Sequence, residues 1–312
     1  MIISASRRTD IPAWYSDWFL NRIKAGYVLV RNPMNRHQVS RVCLSPEVVD
    51  GIVFWTKNPL PMLGKLSALQ DYPFYFQFTV TAYGLDIEPG IPAKTGTILP
   101  AFRRLADEIG PDRMVWRYDP IAVSQDYFVA WHIDRFAELA GQLHDYTQRC
   151  TISFIDIYRK TAKQMRELNF LPVSAAEQRL LGSEFSAIAK RYGLMLSACA
   201  EEADLRRFGI TPARCVDTGL LEKLTGSHLR VDKDKNQRPA CGCAASVDIG
   251  MYDTCRSGCR YCYATHAANG AQSAHARHDP ESPLLCGEIG ADDIILDRPA
   301  ISCKCSQLSL FG

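Results

Sequence analysis

Six short β-rich apolar runs, most followed by a longer amphipathic stretch, constrain this 312-residue chain more than any other feature. The runs are IISAS (2–6), IVFWT (52–56), YFQFTVTA (75–82), RMVWRY (113–118), TISFID (151–156) and LMLSACA (194–200). Their β-branched and aromatic content suits buried strands. Between them lie AWYSDWFLNRIKAG, ILPAFRRLADEIG, YFVAWHIDRFAELAGQLHDY and AAEQRLLGSEFSAIAKRYG, with apolar residues at helical spacing and a closing Gly in three. YVLVRNPMNRHQVSRVCL reads as a hairpin inserted before the second run, turning near 32–35. Strands alternating with helices predict a parallel α/β sheet. Six repeats suit a full or partial (β/α) barrel of the TIM-like kind, with an open doubly wound sheet as the alternative. After about Gly219 the periodicity stops. The expected organisation is a partial barrel over 1–218 and an irregular Cys-rich segment over 219–312, packed over the barrel mouth within one domain.

Composition narrows the function classes. Hydrophobic residues make up 47% and charged residues 22%, enough for a sizeable core and too apolar for extended disorder. A net charge of +2 does not mark a dedicated nucleic-acid binder. The opening MIISASRRTDIP has no apolar core of signal-peptide length. No apolar run approaches the ~18–20 residues of a membrane span. The expectation is a soluble, cytoplasmic protein without a membrane partner. Twelve cysteines in a reducing compartment then point to metal ligation rather than disulfides.

In barrels, reactive groups come from the C-terminal ends of strands and the loops that follow. Those positions are polar here. The first run leads into Ser6, Arg7, Arg8, Thr9 and Asp10, and the second into Lys57 and Asn58. The third carries Thr79, the fourth Arg117 and Asp119, the fifth Asp156 and the sixth Glu201. Strand ends meet solvent and are often polar for that reason alone, yet six of six point to a shared pocket. Arg7, Arg8, Lys57 and Arg117 suit a carboxylate or phosphate. Asp10 and Asp119 are equally suited to hold one of these cations in place. Arg7, Arg8, Asp10, Lys57, Arg117 and Asp119 are the catalytic candidates.

CRSGCRYCYA, residues 255–264, sets Cys255, Cys259 and Cys262 at C-x3-C-x2-C spacing. Zinc would take His266 as a fourth ligand. A disulfide would leave one cysteine over. A [4Fe–4S] cluster on three thiolates would leave one iron without a protein ligand and open to chemistry. Gly258 and Tyr261 suit a tight loop around such a cluster, which makes it the favoured reading.

C-x3-C-x-aromatic-C resembles the cluster motif of radical S-adenosylmethionine enzymes. That resemblance implies a partial (β/α)6 barrel and S-adenosylmethionine chelated at the fourth iron. One electron then cleaves the sulfonium to methionine and a 5′-deoxyadenosyl radical, which abstracts hydrogen from a substrate. Tyr261, Thr79, Asp156 and Glu201 are the candidates for holding this cofactor. The superfamily carries its motif after the first strand, where this chain has SRRTDIP, and FWTKNP stands where a Gly-Gly-Glu motif would follow the second. The chain from SRRTDIP through FWTKNP, RYDP and KDKNQR to DIGMYDTCRSGCRYCYA and QLSLFG resembles an uncharacterised bacterial domain family with C-terminal cysteines of this type. A tail folded back over the barrel mouth would bring the motif to its usual place in space.

Cys199, Cys215, Cys241 and Cys243 form a candidate second site for iron–sulfur or zinc, with small buried cysteines as the alternative for the first two. Cys303 and Cys305 are lower-ranked ligands, and Cys43, Cys150 and Cys286 read as packing residues. RVDKDKNQR (230–238) reads as a solvated loop of mixed charge. His275 and His278 read as surface, and Trp14, Tyr15, Trp18 and Phe19 as core. The expected function is radical S-adenosylmethionine chemistry on a small, anionic substrate, with a flavodoxin or ferredoxin as reductant. The alternatives are a non-catalytic protein that carries electrons, senses redox state or binds zinc, and radical repair of nucleic-acid lesions.

Overall fold

The computed structural model describes residues 1–201, 203–265 and 268–305. His266 and the terminal QLSLFG lie outside them. In chain order the strands are β1 Ile2–Ala5, β2 Tyr27–Asn32, β3 Asn35–Cys43, β4 Gly51–Thr56, β5 Phe74–Thr79, β6 Met114–Ile121, β7 Arg149–Phe154, β8 Met195–Ala198, β9 Thr211–Pro212, β10 Val247–Asp248 and β11 Ile294–Asp297. The α-helices are α1 Ile11–Trp14, α2 Ser16–Ala25, α3 Leu99–Ile109, α4 Val129–Leu143, α5 Ala162–Glu167, α6 Ala175–Arg191, α7 Thr218–Thr225 and α8 Ala268–Ala276.

All six runs form strands of one eight-stranded parallel sheet, ordered β10-β1-β4-β5-β6-β7-β8-β9. The order never doubles back between β1 and β9, unlike a doubly wound sheet with its switch point. The predicted hairpin is β2–β3, which pairs antiparallel and takes β11 on its other edge. Residues from the 219–312 segment therefore enter both sheets. Among the described residues no helix is long and apolar enough to cross a membrane.

Side chains alternate across a strand, so each sheet face has its own set. On one face Phe54 stacks on Phe76 at 4.7 Å, and Phe136 of α4 lies between Trp116 at 5.0 Å and Phe185 of α6 at 4.0 Å. Trp18 and Phe19 of α2 are fully buried in this layer. The opposite face starts apolar and turns polar along β5 and β6, Tyr75 then Gln77 and Val115 then Arg117, while in β4 Val53 is followed by Trp55. Its apolar end is covered by Leu220 and Leu221 of α7, packed on Ile2, Val53, Tyr75 and Val115. The polar ends and the loops beyond them are left to line a cavity.

Candidate functional site

The cavity has a volume of about 300 Å³ and lies at the C-terminal ends of β1, β4, β5, β6 and β7. Arg7, Arg8, Asp10, Lys57, Thr79, Arg117, Asp119 and Asp156 all line it. So do Cys255, Cys259, Tyr261 and Cys262 from the tail, and Cys199, Cys215, Cys241 and Cys243. Glu201 stays outside the lining; its Oε1 accepts from the Phe154 backbone N–H at 2.9 Å and so secures the end of β7.

The tail reaches this place through β10, which pairs parallel with β1, Ile3 to Val247 and Ser4 to Asp248. Asp248 then gathers the loop after β1. Its carboxylate accepts from Ser4 Oγ at 2.7 Å, Ser6 Oγ at 2.5 Å and the Arg7 N–H at 2.9 Å. Arg8 completes the junction, with Nη1 on the Gly250 carbonyl at 3.5 Å and its guanidinium 5.2 Å over the Tyr252 ring. Arg8 thus helps to fasten the tail while lining the cavity.

The cysteine loop is pinned on both flanks. Tyr15 Oη donates to the Thr254 carbonyl at 2.6 Å, and Trp14 Nε1 to Ser257 Oγ at 3.2 Å. The Arg260 N–H reaches the Ile87 carbonyl at 2.9 Å. Gly258 turns the loop at φ +63°, where a side chain is strained. The Cys262 N–H bonds the Cys259 carbonyl at 3.0 Å, and the Ala264 N–H donates to Cys262 Sγ at 3.3 Å. Gly90 crosses directly against this loop, its N–H on the Ser257 carbonyl at 3.0 Å. A Cβ there would lie 2.7 Å from the Ser257 oxygen and 2.8 Å from the Arg256 oxygen, both backbone. Gly90→Ala is expected to push the loop off its seat, costing about 1–3 kcal/mol of stability. Chemical denaturation of the purified variant checks it.

Beneath Tyr261 lies a buried ion cluster. Glu88, fully buried, accepts from Lys57 Nζ at 2.7 Å and Thr81 Oγ1 at 2.9 Å, and also from Lys94 Nζ and Tyr261 Oη. Burial alone would raise the Glu88 pKa, but Lys57 and Lys94 outweigh it and bring it down to about 2. The Lys57 ammonium also sits 5.5 Å from the Tyr261 ring centre. Lys57 thus links the end of β4 to the cysteine loop. Burial raises the Cys255 thiol to about 11 and lifts Cys259 further, while the Lys57 charge pulls Cys259 back.

Asp10 caps α1, accepting from the Ala13 N–H at 3.0 Å and the Lys57 N–H at 2.7 Å. Burial raises its pKa to about 6 against the bonds it accepts. The folded value lies above the ordinary 3.8, so the stability linked to this group is full below pH 3.8 and lost as pH rises through 6. The span amounts to roughly 3 kcal/mol. Asp10→Asn is expected to flatten that slope, seen as a smaller change in urea midpoint between pH 4 and pH 7.5 than in the parent protein.

The other cations are also engaged. Arg117 bonds Asp119 through Nε and Nη2, and Gln77 and Cys215 through Nη1 at 3.2 and 2.9 Å. Arg7 lies 3.8 Å from Asp234, and its buried Nη2 has no hydrogen-bond partner among the described residues. The 230–238 stretch, expected in solvent, is partly inside: Asp234 is buried, and Arg238 lines the cavity paired with Asp156. His278 likewise packs edge-on to Tyr15 at 4.7 Å instead of standing free. Cys303 and Cys305 lie elsewhere, against Asp50 and His228.

Sequence reasoning missed Glu88, Lys94 and Asp248. The signal for Glu88 was a lone acid in IEPG after the third strand; for Asp248 it was a short apolar–acid pair ahead of the cysteines. Among the described residues no three His, Cys, Asp or Glu side chains form a ready metal-ligating group. The chemistry of the donor set nevertheless suits soft iron or zinc: three half-buried thiols on one tight loop and an amide N–H aimed at a cysteine sulfur.

A family model described as a domain of unknown function, DUF1848, matches residues 2–264, ending just past the cysteine loop. No curated protein matches the chain. A crystal structure named as a "putative alpha-L-fucosidase" from Bacteroides thetaiotaomicron aligns over 74% of this chain and 84% of its own, at 11% identity and a TM-score of 0.28. A similarity that low bears on neither fold nor chemistry.

Proposed function

The chain belongs to the DUF1848 family, a domain of unknown function, and on that premise we propose that it is an iron–sulfur enzyme of the radical S-adenosylmethionine type. Cys255, Cys259 and Cys262 would hold a [4Fe–4S] cluster with one iron free of protein ligands. The sheet would act as a partial barrel with the tail across its mouth. The observation that supports this most is the sharing of one cavity by the three thiols of the C-x3-C-x2-C loop and the polar strand ends.

When bound, the cluster supplies an open iron for S-adenosylmethionine and the electron that cleaves its sulfonium, drawn from a reductant such as flavodoxin or ferredoxin. The chain's own residues do the rest. Lys57 and Lys94 place two positive charges, against one on Glu88, under the loop, and this favours the ionised thiols that ligation needs. The Glu88–Tyr261 bond fixes the turn between Cys259 and Cys262. Asp248 and Arg8 hold the loop after β1 to the tail, and so set one wall of the cavity. Asp119, Asp156 and Tyr158 offer the more accessible polar groups to a substrate. The strand-end cations are mostly paired within the chain, so nothing here assigns the substrate a charge.

Anaerobic reconstitution, reduction and electron paramagnetic resonance with and without S-adenosylmethionine test the reading. The expected result is a [4Fe–4S] signal that changes when S-adenosylmethionine is added. A cluster indifferent to it, or zinc without iron on these three cysteines, would overturn the proposal in favour of an electron-carrying or structural role.

A further inference from the structure

A second group of cysteines converges from three separate parts of the chain. Cys199 follows β8, Cys215 follows β9, and Cys241 and Cys243 precede β10. Cys199 Sγ lies 3.5 Å from Cys215 Sγ, and all four cysteines line the same cavity. All four are free thiols.

Apolar filler is a poor account of this group. Arg117 Nη1 donates to Cys215 Sγ at 2.9 Å, and the Val216 N–H points at Cys243 Sγ at 3.5 Å. The Arg7 charge also faces Cys243 and Cys215. Each guanidinium already has a carboxylate on one side, Asp119 for Arg117 and Asp234 for Arg7, and a thiolate would make fuller use of the side that faces the cysteines than a neutral thiol does. Four thiolates on one divalent ion carry a net charge of −2, which two neighbouring guanidiniums moderate.

The spacing separates two kinds of centre. Zinc–sulfur bonds of ~2.3 Å in a tetrahedron set neighbouring sulfurs ~3.8 Å apart. In a cubane each cysteine binds a different iron, so the ligand sulfurs stand farther apart. The 3.5 Å contact is nearer the single-ion spacing. Among the described residues the four sulfurs do not close on one point as they stand, so the ion is what would gather them. The backbone already brings the segments together: Ala244 N–H to the Val216 carbonyl at 3.1 Å, and Gly242 so close that a Cβ would meet the Ala213 oxygen at 3.1 Å.

We propose that Cys199, Cys215, Cys241 and Cys243 form a closed four-thiolate site for one tetrahedral metal ion of the zinc type, separate from the 255–262 loop. The site clips the tail to the ends of β8 and β9 just before it enters the sheet as β10. Its truth does not depend on what the 255–262 loop does.

The native protein, grown with zinc and purified without air, provides the first test. Zinc-edge X-ray absorption is expected to show about one zinc per chain with four sulfur neighbours at ~2.3 Å. Cys241→Ser, alone and with Cys243→Ser, is expected to remove that zinc and leave iron on the other loop unchanged. Cys259→Ala is expected to do the reverse. The proposal is overturned if the native protein holds no sulfur-ligated zinc, or if the Cys241→Ser variants keep theirs. It is also overturned if those variants lose iron and sulfide in place of zinc, which would mark a second cluster. The absorption measurement needs no variant, so a misfolded mutant cannot mask the answer.

Discussion

Cys259→Ala is expected to abolish iron–sulfur assembly on the 255–262 loop and to bring cleavage of S-adenosylmethionine to background. In the proposed function Cys259 is the middle ligand of three, and two thiolates would not retain a cluster that already lacks a fourth protein ligand. The substitution removes a half-buried sulfur beside Lys57 and leaves the loop's anchors to Tyr15, Trp14 and Ile87 in place. The fold should therefore survive, as judged by circular dichroism, while iron, sulfide and methionine release all fall. Retained cleavage in this variant would end the radical-enzyme proposal.

Glu88→Gln should produce the largest loss of stability among single polar substitutions at the site. The glutamine keeps the shape but leaves Lys57 and Lys94 buried without their shared counter-charge. Breaking a buried ion group from one side costs about 3–5 kcal/mol. In a protein of this size the midpoint of thermal unfolding should fall by on the order of 10 °C. The same carboxylate gives the parent protein an acid-side dependence. Its folded pKa of about 2 lies below the ordinary 4.5, so its stabilisation is complete above pH 4.5 and is lost as pH falls toward 2. That loss amounts to roughly 3 kcal/mol. Glu88→Gln should lack this component, and comparing unfolding at pH 3 and pH 6 for both proteins checks it.

The parts of this architecture that could be read from the sequence share a physical cause. Strands of a parallel sheet are buried on both faces and so appear as unbroken apolar runs. IVFWT and YFQFTVTA show this, and they became β4 and β5. β9 and β10 contain two residues each, too few to show any period. β11, IILD, is apolar yet exposed along its whole length, so its pairing with β3 follows from tertiary context alone. Cysteine spacing is local and survives in one dimension; charge partnership does not. Glu88 meets Lys57 across 31 residues and Tyr261 across 173, and nothing in IEPG announces either partner. Asp234 was hidden by its charged neighbours: KDKNQR looks solvated, although its one acid turns inward toward Arg7.

The pairing of β10 with β1 has a consequence for synthesis. Ser6 and Asp248 bond across 242 residues, so one wall of the cavity joins one of the earliest parts of the chain to one of the latest. Chains emerge from the ribosome in order, at ~5–20 residues per second. For most of that time the flank of β1 that receives β10 has no partner, and the thiols of the loop have not yet been made. A protein interrupted before this point would carry a nearly whole sheet without the three thiols, and so could not hold the proposed cluster. The order of segments would then keep reactive metal away from a sheet that still lacks its last parallel strand.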